Sequence, residues 1–222
     1  MPMAVQVIVI ASSPAFARCV PFGLFIALLA LSSIVVQPWL VIVRNLLVAS
    51  VLLFYWKYYV ELRVLPARRS DWFLALTSGV AVFVAWTLLD HDWIVTGGAP
   101  GFRPLLPTGE VDWLMAALRL VGFALVVPVM EELFWRSFLL RWLEQHEFLS
   151  FPPSRVGLRA LVITAALFAL EHNQWVAGAV ASIVYSALYM RSGNLWVPIA
   201  AHTVTNLALG TWVIWTRNWQ FW

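Results

Sequence analysis

Polar residues in this chain fall mostly between long apolar stretches rather than alternating with them. Apolar runs cover about residues 19–37, 39–56, 72–89, 114–140, 158–173, 175–190 and 195–215. Runs of this length can cross the roughly 30 Å of hydrocarbon in a bilayer. An isolated helix is the only open element that satisfies its own backbone in lipid, so each run predicts a helix. The expected fold is all-α: a polytopic transmembrane helix bundle of about seven to eight spans. It forms a single integral membrane domain over residues 1–222.

The fourth run departs from this pattern because it carries Arg119, Glu131, Glu132 and Arg136. Continued as one helix from Asp112 to His146, it would be on the order of 50 Å long, more than one crossing needs. Pro128 removes a backbone donor and presses on the carbonyl of Ala124, which predicts a kink three residues before the glutamates. Trp39, Trp56, Trp72, Trp93, Trp113, Trp175 and Trp196 lie near run boundaries, as an interfacial aromatic belt requires. The Trp-rich stretch "WVIWTRNWQFW" reads as a further interfacial anchor.

Composition agrees with the pattern: the chain is 62% hydrophobic and 11% charged, far from the balance of a soluble domain. A single cysteine, Cys19, excludes an internal disulfide. The net charge of +3 is small and the arginines are dispersed between runs, so no nucleic-acid partner is expected. The opening "VQVIVI" resembles a signal core, but the first basic residue, Arg18, follows it instead of preceding it. Arg18 also occupies the position before Cys19 where a lipoprotein site needs a small residue, so the first segment is read as interfacial and retained. Lys57, Arg63, Arg68 and Arg69, then Arg141, Arg155 and Arg159, then Arg191, fall in alternate links. The 90–112 link holds Arg103 among four acids. This asymmetry predicts a cytoplasmic N-terminus.

An ionisable group at the bilayer centre costs at least about 2.5–3.5 kcal/mol, so each needs a physical reason. Arg44 and Arg119 lie near span ends and are expected to snorkel. Glu132 and Arg136 are i,i+4 and can pair across one turn. Glu131 points about 100° around the helix from Glu132, towards the bundle interior, with no local partner. "FALEH" puts Phe168 and His172 one turn apart, with Glu171 beside them. "HTVTN" does the same for His202 and Asn206, behind "NLWVP", where Asn194 and Pro198 read as a helix start.

Singly, such a His is more often a hydrogen-bonded core residue, and such an Asn more often a link between helices. Three helices each delivering polar groups form a set that packing does not explain. A buried carboxylate and an imidazole sharing one water make a general base. A second His and an Asn can donate to an oxyanion, which completes the requirements for amide hydrolysis. Glu131, His172 and His202 could also hold zinc, leaving a position open. There is no H-E-x-x-H, no G-x-S-x-G frame and no intramembrane Asp pair. Hydropathy alone places Glu131 and His172 at different depths. Either the fourth helix continues to about His146 or the fifth begins later than 158.

"EELFWR" at 131–136, "FALEH" at 168–172 and "HTVTN" at 202–206 fit E-E-x-x-x-R, F-x-x-x-H and H-x-x-x-N. In that order they resemble the CPBP family of intramembrane proteases, which includes the Rce1-type CAAX prenyl endopeptidases and the bacterial Abi-type proteins. The likeness covers about residues 110–215, an expected catalytic core. It implies that Glu131 and His172 activate water, that His202 and Asn206 form the oxyanion site, and that Glu132, Arg136 and Phe168 support them. It also implies a membrane-associated protein or peptide substrate. No cofactor is favoured; zinc, if present, would sit on Glu131, His172 and His202. The compact chain looks most like the bacterial members, hence a bacterial cytoplasmic membrane. The alternative is a non-catalytic membrane binding, chaperone or immunity-type protein with the same fold. A transporter would need a second-half repeat, which the sequence lacks.

Overall fold

The computed structural model describes residues 13–35, 37–90 and 101–222. The interfacial reading of the first segment and the place of Trp93 lie outside these residues. Among the described residues seven helices account for the seven apolar runs: α1 Pro14–Ile34, α2 Trp39–Phe54, α3 Arg69–Leu88, α4 Trp113–Trp142, α5 Leu158–Leu170, α6 Trp175–Ser192 and α7 Trp196–Thr216. They carry no strand among the described residues beyond one isolated bridge, Leu105 to Val111. Four of them start on a tryptophan, where the belt reading put one.

Helix ends follow from local chemistry. Ser13 Oγ accepts from the Phe16 N–H at 3.1 Å ahead of Pro14, so side chain and ring together open α1. Asp112 does the same for α4, accepting from Met115 N–H at 3.0 Å. Gly193 closes α6 with φ +67°, a left-handed turn that a side chain would strain. Asn194 Oδ1 then accepts from Trp196 N–H at 3.0 Å, starting α7 close to the predicted point.

The seven helices differ in length. Only α1 through Ser32, α3, α4 and α7 are both long and apolar enough to cross a membrane. α2, with 16 residues, and α5, with 13, are shorter apolar helices. α5 stops at Leu170 because Glu171 to Gln174 form a polar turn before Trp175 restarts the chain as α6. α4 runs unbroken to Trp142 and α5 begins at Leu158, which resolves the conflict of depths in favour of the longer fourth helix.

α3 and α7 lie side by side, α5 packs on α6, α1 on α2, and α4 touches both sides of the bundle. α3 and α7 come close at Gly79, where an added Cβ would lie 2.5 Å from the Ala201 carbonyl oxygen. At the far end of α4, the link after α2 supplies a buried hub. Glu61 accepts from Arg18, from Ser137 and, at 2.7 Å, from Arg141, while Tyr59 donates to Ala17 O at 2.8 Å. Burial pushes the Glu61 carboxyl up, and Arg18, Ser137 and Arg141 together outweigh it, holding the group below the ordinary carboxylate range.

Two outcomes follow for the fold. Gly79→Leu should lower thermal stability in detergent by about 1–3 kcal/mol through overpacking against a backbone that cannot yield. Because the Glu61 pKa is lower in the folded state, its contribution is complete above about pH 5 and is lost as pH falls through the folded value. Glu61→Gln should therefore destabilise at neutral pH and flatten the acid side of the stability–pH curve. An unchanged acid side would contradict this account of the hub.

Candidate active site

The site grows out of two irregularities in α4. Gly122–Val126 and Leu133–Leu139 are π-helical, and the α-helical Val127–Glu132 between them carries both glutamates. In the first π turn the Val127 N–H reaches back five residues to Gly122 O. The next carbonyl in that register, Phe123 O, would need the N–H of residue 128, which is proline and has none. Asn206 Nδ2, from α7, donates to that carbonyl at 2.8 Å. The predicted effect of Pro128 is thus a π turn, and one amide hydrogen of Asn206 is already committed.

Glu132 is fully buried and shared. Its Oε2 lies 3.2 Å from Arg136 Nε, as the i,i+4 spacing predicts, while its Oε1 is 2.9 Å from His202 Nδ1. A carboxylate can only accept there, so Nδ1 carries the hydrogen and the other ring nitrogen, Nε2, faces Glu131 Oε2 at 4.0 Å. The Arg136 guanidinium sits between the rings of Phe168 and Tyr185, at 4.6 and 5.4 Å. Tyr185 stacks on His202 at 4.9 Å and donates from its hydroxyl to Thr205 Oγ1 at 2.8 Å. Thr205 passes the bond on to Gly79 O at 2.8 Å, so the close α3–α7 contact also fixes this ring.

Glu131 is buried, and its Oε2 has no hydrogen-bond partner among the described residues. Its charged neighbours are Glu171, Glu132 and Arg136. His172 stands on the polar turn after α5 instead of inside a helix. Its Nδ1 donates to Phe168 O at 2.8 Å, the carbonyl being an acceptor only, which leaves Nε2 as an open base. Phe168 stacks on the ring at 4.6 Å and Trp86 meets its edge at 5.4 Å. His172 makes no hydrogen bond to Glu131 among the described residues; His202 and Arg136 are its charged neighbours. Among the described residues no three His, Cys, Asp or Glu side chains are grouped to hold a metal ion, so Glu131, His172 and His202 do not form a zinc set as they stand.

Residues 113–208 match the family model described as Type II CAAX prenyl endopeptidase Rce1-like. Over those residues, somewhat under half of its length, the chain is similar to that family. Every residue of the three motifs falls within the Rce1-like segment, which runs from the first residue of α4 to near the middle of α7. The Rce1-like family is a protease family, so the match supports a hydrolase at family level. Comparison with curated proteins and with solved structures found no match.

Sequence reasoning missed Tyr185, Thr205 and the second bond of Glu132. Thr205 stood in view inside "HTVTN"; Tyr185 carried no signal beyond being a hydroxyl on a buried helix face. Arg44 is buried at 7% exposure, with its guanidinium over Phe25 at 4.6 Å. Arg119 is half-buried, stacked on Phe102 and Trp222 at 4.7 and 5.2 Å. An apolar groove of about 680 Å³ between α3 and α7, lined by Leu76, Val204, Leu207, Ala208 and Trp215, uses the face of α7 turned away from His202 and Asn206.

The orphaned carbonyl gives a coupled test. Asn206→Ala should cost about 1–3 kcal/mol of stability by leaving Phe123 O unpaired. In a Pro128→Ala background, which restores an N–H, the same change should cost less than half as much. Strictly additive costs in unfolding measurements would sink the assignment.

Proposed function

We propose that this protein is an intramembrane endopeptidase that hydrolyses peptide bonds of membrane-associated protein substrates. The observation that carries the reading is Glu131: a buried carboxylate whose Oε2 lies 4.0 Å from His202 Nε2 without a hydrogen bond, beside a Glu132 already ion-paired to Arg136 and His202. A water between Glu131 and Nε2 of His172 loses its proton to the carboxylate as its oxygen attacks the scissile carbonyl carbon. The carbonyl oxygen becomes an oxyanion, and the second Nδ2 hydrogen of Asn206 is directed at it. His202, its ring fixed by Glu132 on Nδ1, is the other member of the oxyanion site and donates from Nε2 when that nitrogen carries a proton. Collapse breaks the C–N bond, and the proton held by Glu131 passes to the leaving amine.

Arg136 and Phe168 are positioning residues: Arg136 holds Glu132, and the Phe168 carbonyl and ring hold His172. The chemistry proposed is metal-free, because a buried carboxyl and an imidazole suffice as base and Asn206 suits a donor role better than a ligand role. The Arg-rich links predict a cytoplasmic N-terminus, in the cytoplasmic membrane of a bacterium.

Wild type and Glu131→Gln, expressed equally in a strain lacking the native protein, should differ in new peptide termini of the membrane fraction. Termini should appear with wild type and fall by about 10²–10⁴-fold in rate with the variant. Identical catalogues from a folded variant that still supports the cellular role would replace the protease with a non-catalytic binding protein. Separately, a strong zinc chelator should leave the wild-type termini in place. Loss on chelation with return on added zinc would overturn the metal-free chemistry while keeping the hydrolase.

A further inference from the structure

Away from the glutamates, two arginines share a part of the fold in which no acid pairs with them among the described residues. Arg44 of α2 is buried, and desolvation is the only influence on its guanidinium. For Arg119 of α4 the charged neighbour is Arg44 itself. Neither has an ion pair or a hydrogen bond among the described residues, and Nε of each is a buried donor without an acceptor. A third such donor, Trp222 Nε1, belongs to the indole that stacks on Arg119 at 5.2 Å. Phe25 and Phe102 complete the surround, and Phe102 N–H fixes the C-terminal segment by donating to Trp222 O at 2.8 Å.

Three cation–π contacts do not offset two neighbouring guanidiniums, each with a buried Nε, that have no counter-charge among the described residues. The missing partner is an anion that accepts several hydrogen bonds. We propose that Arg44 and Arg119 form a binding site for a phosphate group. The planar fork of a guanidinium matches phosphate oxygens, and two forks neutralise it. Depth points the same way. Arg44 follows Trp39 by five residues and Arg119 follows Trp113 by six, so both leave their helices about 8–9 Å along the axis from interfacial tryptophans. Long side chains at that level reach back to the headgroup layer, where phospholipid phosphate is the abundant anion. The site is twelve residues along α4 from Glu131, about 18 Å, and does not depend on the protease reading.

The test uses the full chain in an uncharged detergent. Native mass spectrometry should find phospholipid retained on the wild type. Added dioleoyl phosphatidylglycerol should raise the unfolding midpoint saturably, by roughly 5 °C at a hundredfold excess over Kd. Dioleoylglycerol, with the same chains and no phosphate, should not. Arg44→Gln and Arg119→Gln should each lose the shift. Inorganic phosphate reproducing the full shift would assign the site to free phosphate, whereas a response only to phosphatidylglycerol assigns it to a lipid headgroup. Equal responses to the phospholipid and dioleoylglycerol, with none to inorganic phosphate, would overturn the proposal on the wild type alone, even if neither variant folds.

Discussion

The chemistry of this bundle depends on one buried carboxylate accepting from two helices. Glu132 faces Arg136 within α4 and His202 across to α7, and neither contact would be tolerable without the other. A fully buried Arg136 left with aromatic rings alone would be an uncompensated charge. A His202 without Glu132 would lose the partner that fixes its tautomer. The shared carboxylate neutralises the one and orients the other, and the rings of Phe168 and Tyr185 pack the result from both sides. Its neighbour Glu131 makes no arginine ion pair among the described residues and stands 4.0 Å from His202 Nε2. The asymmetry between two adjacent residues of one type comes from the roughly 100° that separates them around the helix.

Backbone irregularity does comparable work. Non-helical hydrogen bonding inside a membrane is tolerated only where protein re-satisfies the freed groups. Here a proline frees a carbonyl, a π turn turns it towards α7, and Asn206 answers it. The same contact anchors Asn206 at its place in the cluster. On the other side, the Thr205 hydroxyl ties Tyr185 to the backbone of α3 where it comes close to α7. The site is thus braced by two polar residues, Thr205 and Asn206, adjacent in sequence and each bonded to a different helix.

What the sequence disclosed was whatever is written at short spacing. Glu132 to Arg136 and Phe168 to His172 are one turn apart, and both contacts exist, the second through a backbone carbonyl. Glu132 to His202 spans seventy residues and has no periodicity to announce it. The partner of Asn206 is a main-chain oxygen, invisible in side-chain patterns, although Pro128 five residues beyond Phe123 was the available clue. The surroundings of Arg44 and Arg119 were hidden for a related reason. Hydropathy places a residue along its own helix, whereas their surroundings come from α1, from Phe102 and from Trp222, which only the folded chain brings near. Apolarity also persists through α5 while its helix ends after thirteen residues, so a run and its helix differ in length there.

That short helix has a further consequence. Thirteen residues rise about 20 Å, against roughly 30 Å of hydrocarbon, while α4 beside it rises about 45 Å. The two mismatches are opposite in sign on neighbouring parts of one bundle, so no single bilayer thickness suits both. The long helix can tilt; the short one cannot lengthen. Glu171, His172 and Gln174 at its tip require lipid to dimple there, drawing headgroups and water inward to meet them. A polypeptide lying on the membrane would then find His172 at the floor of a depression in the surface, a shorter descent than the thickness of the membrane implies.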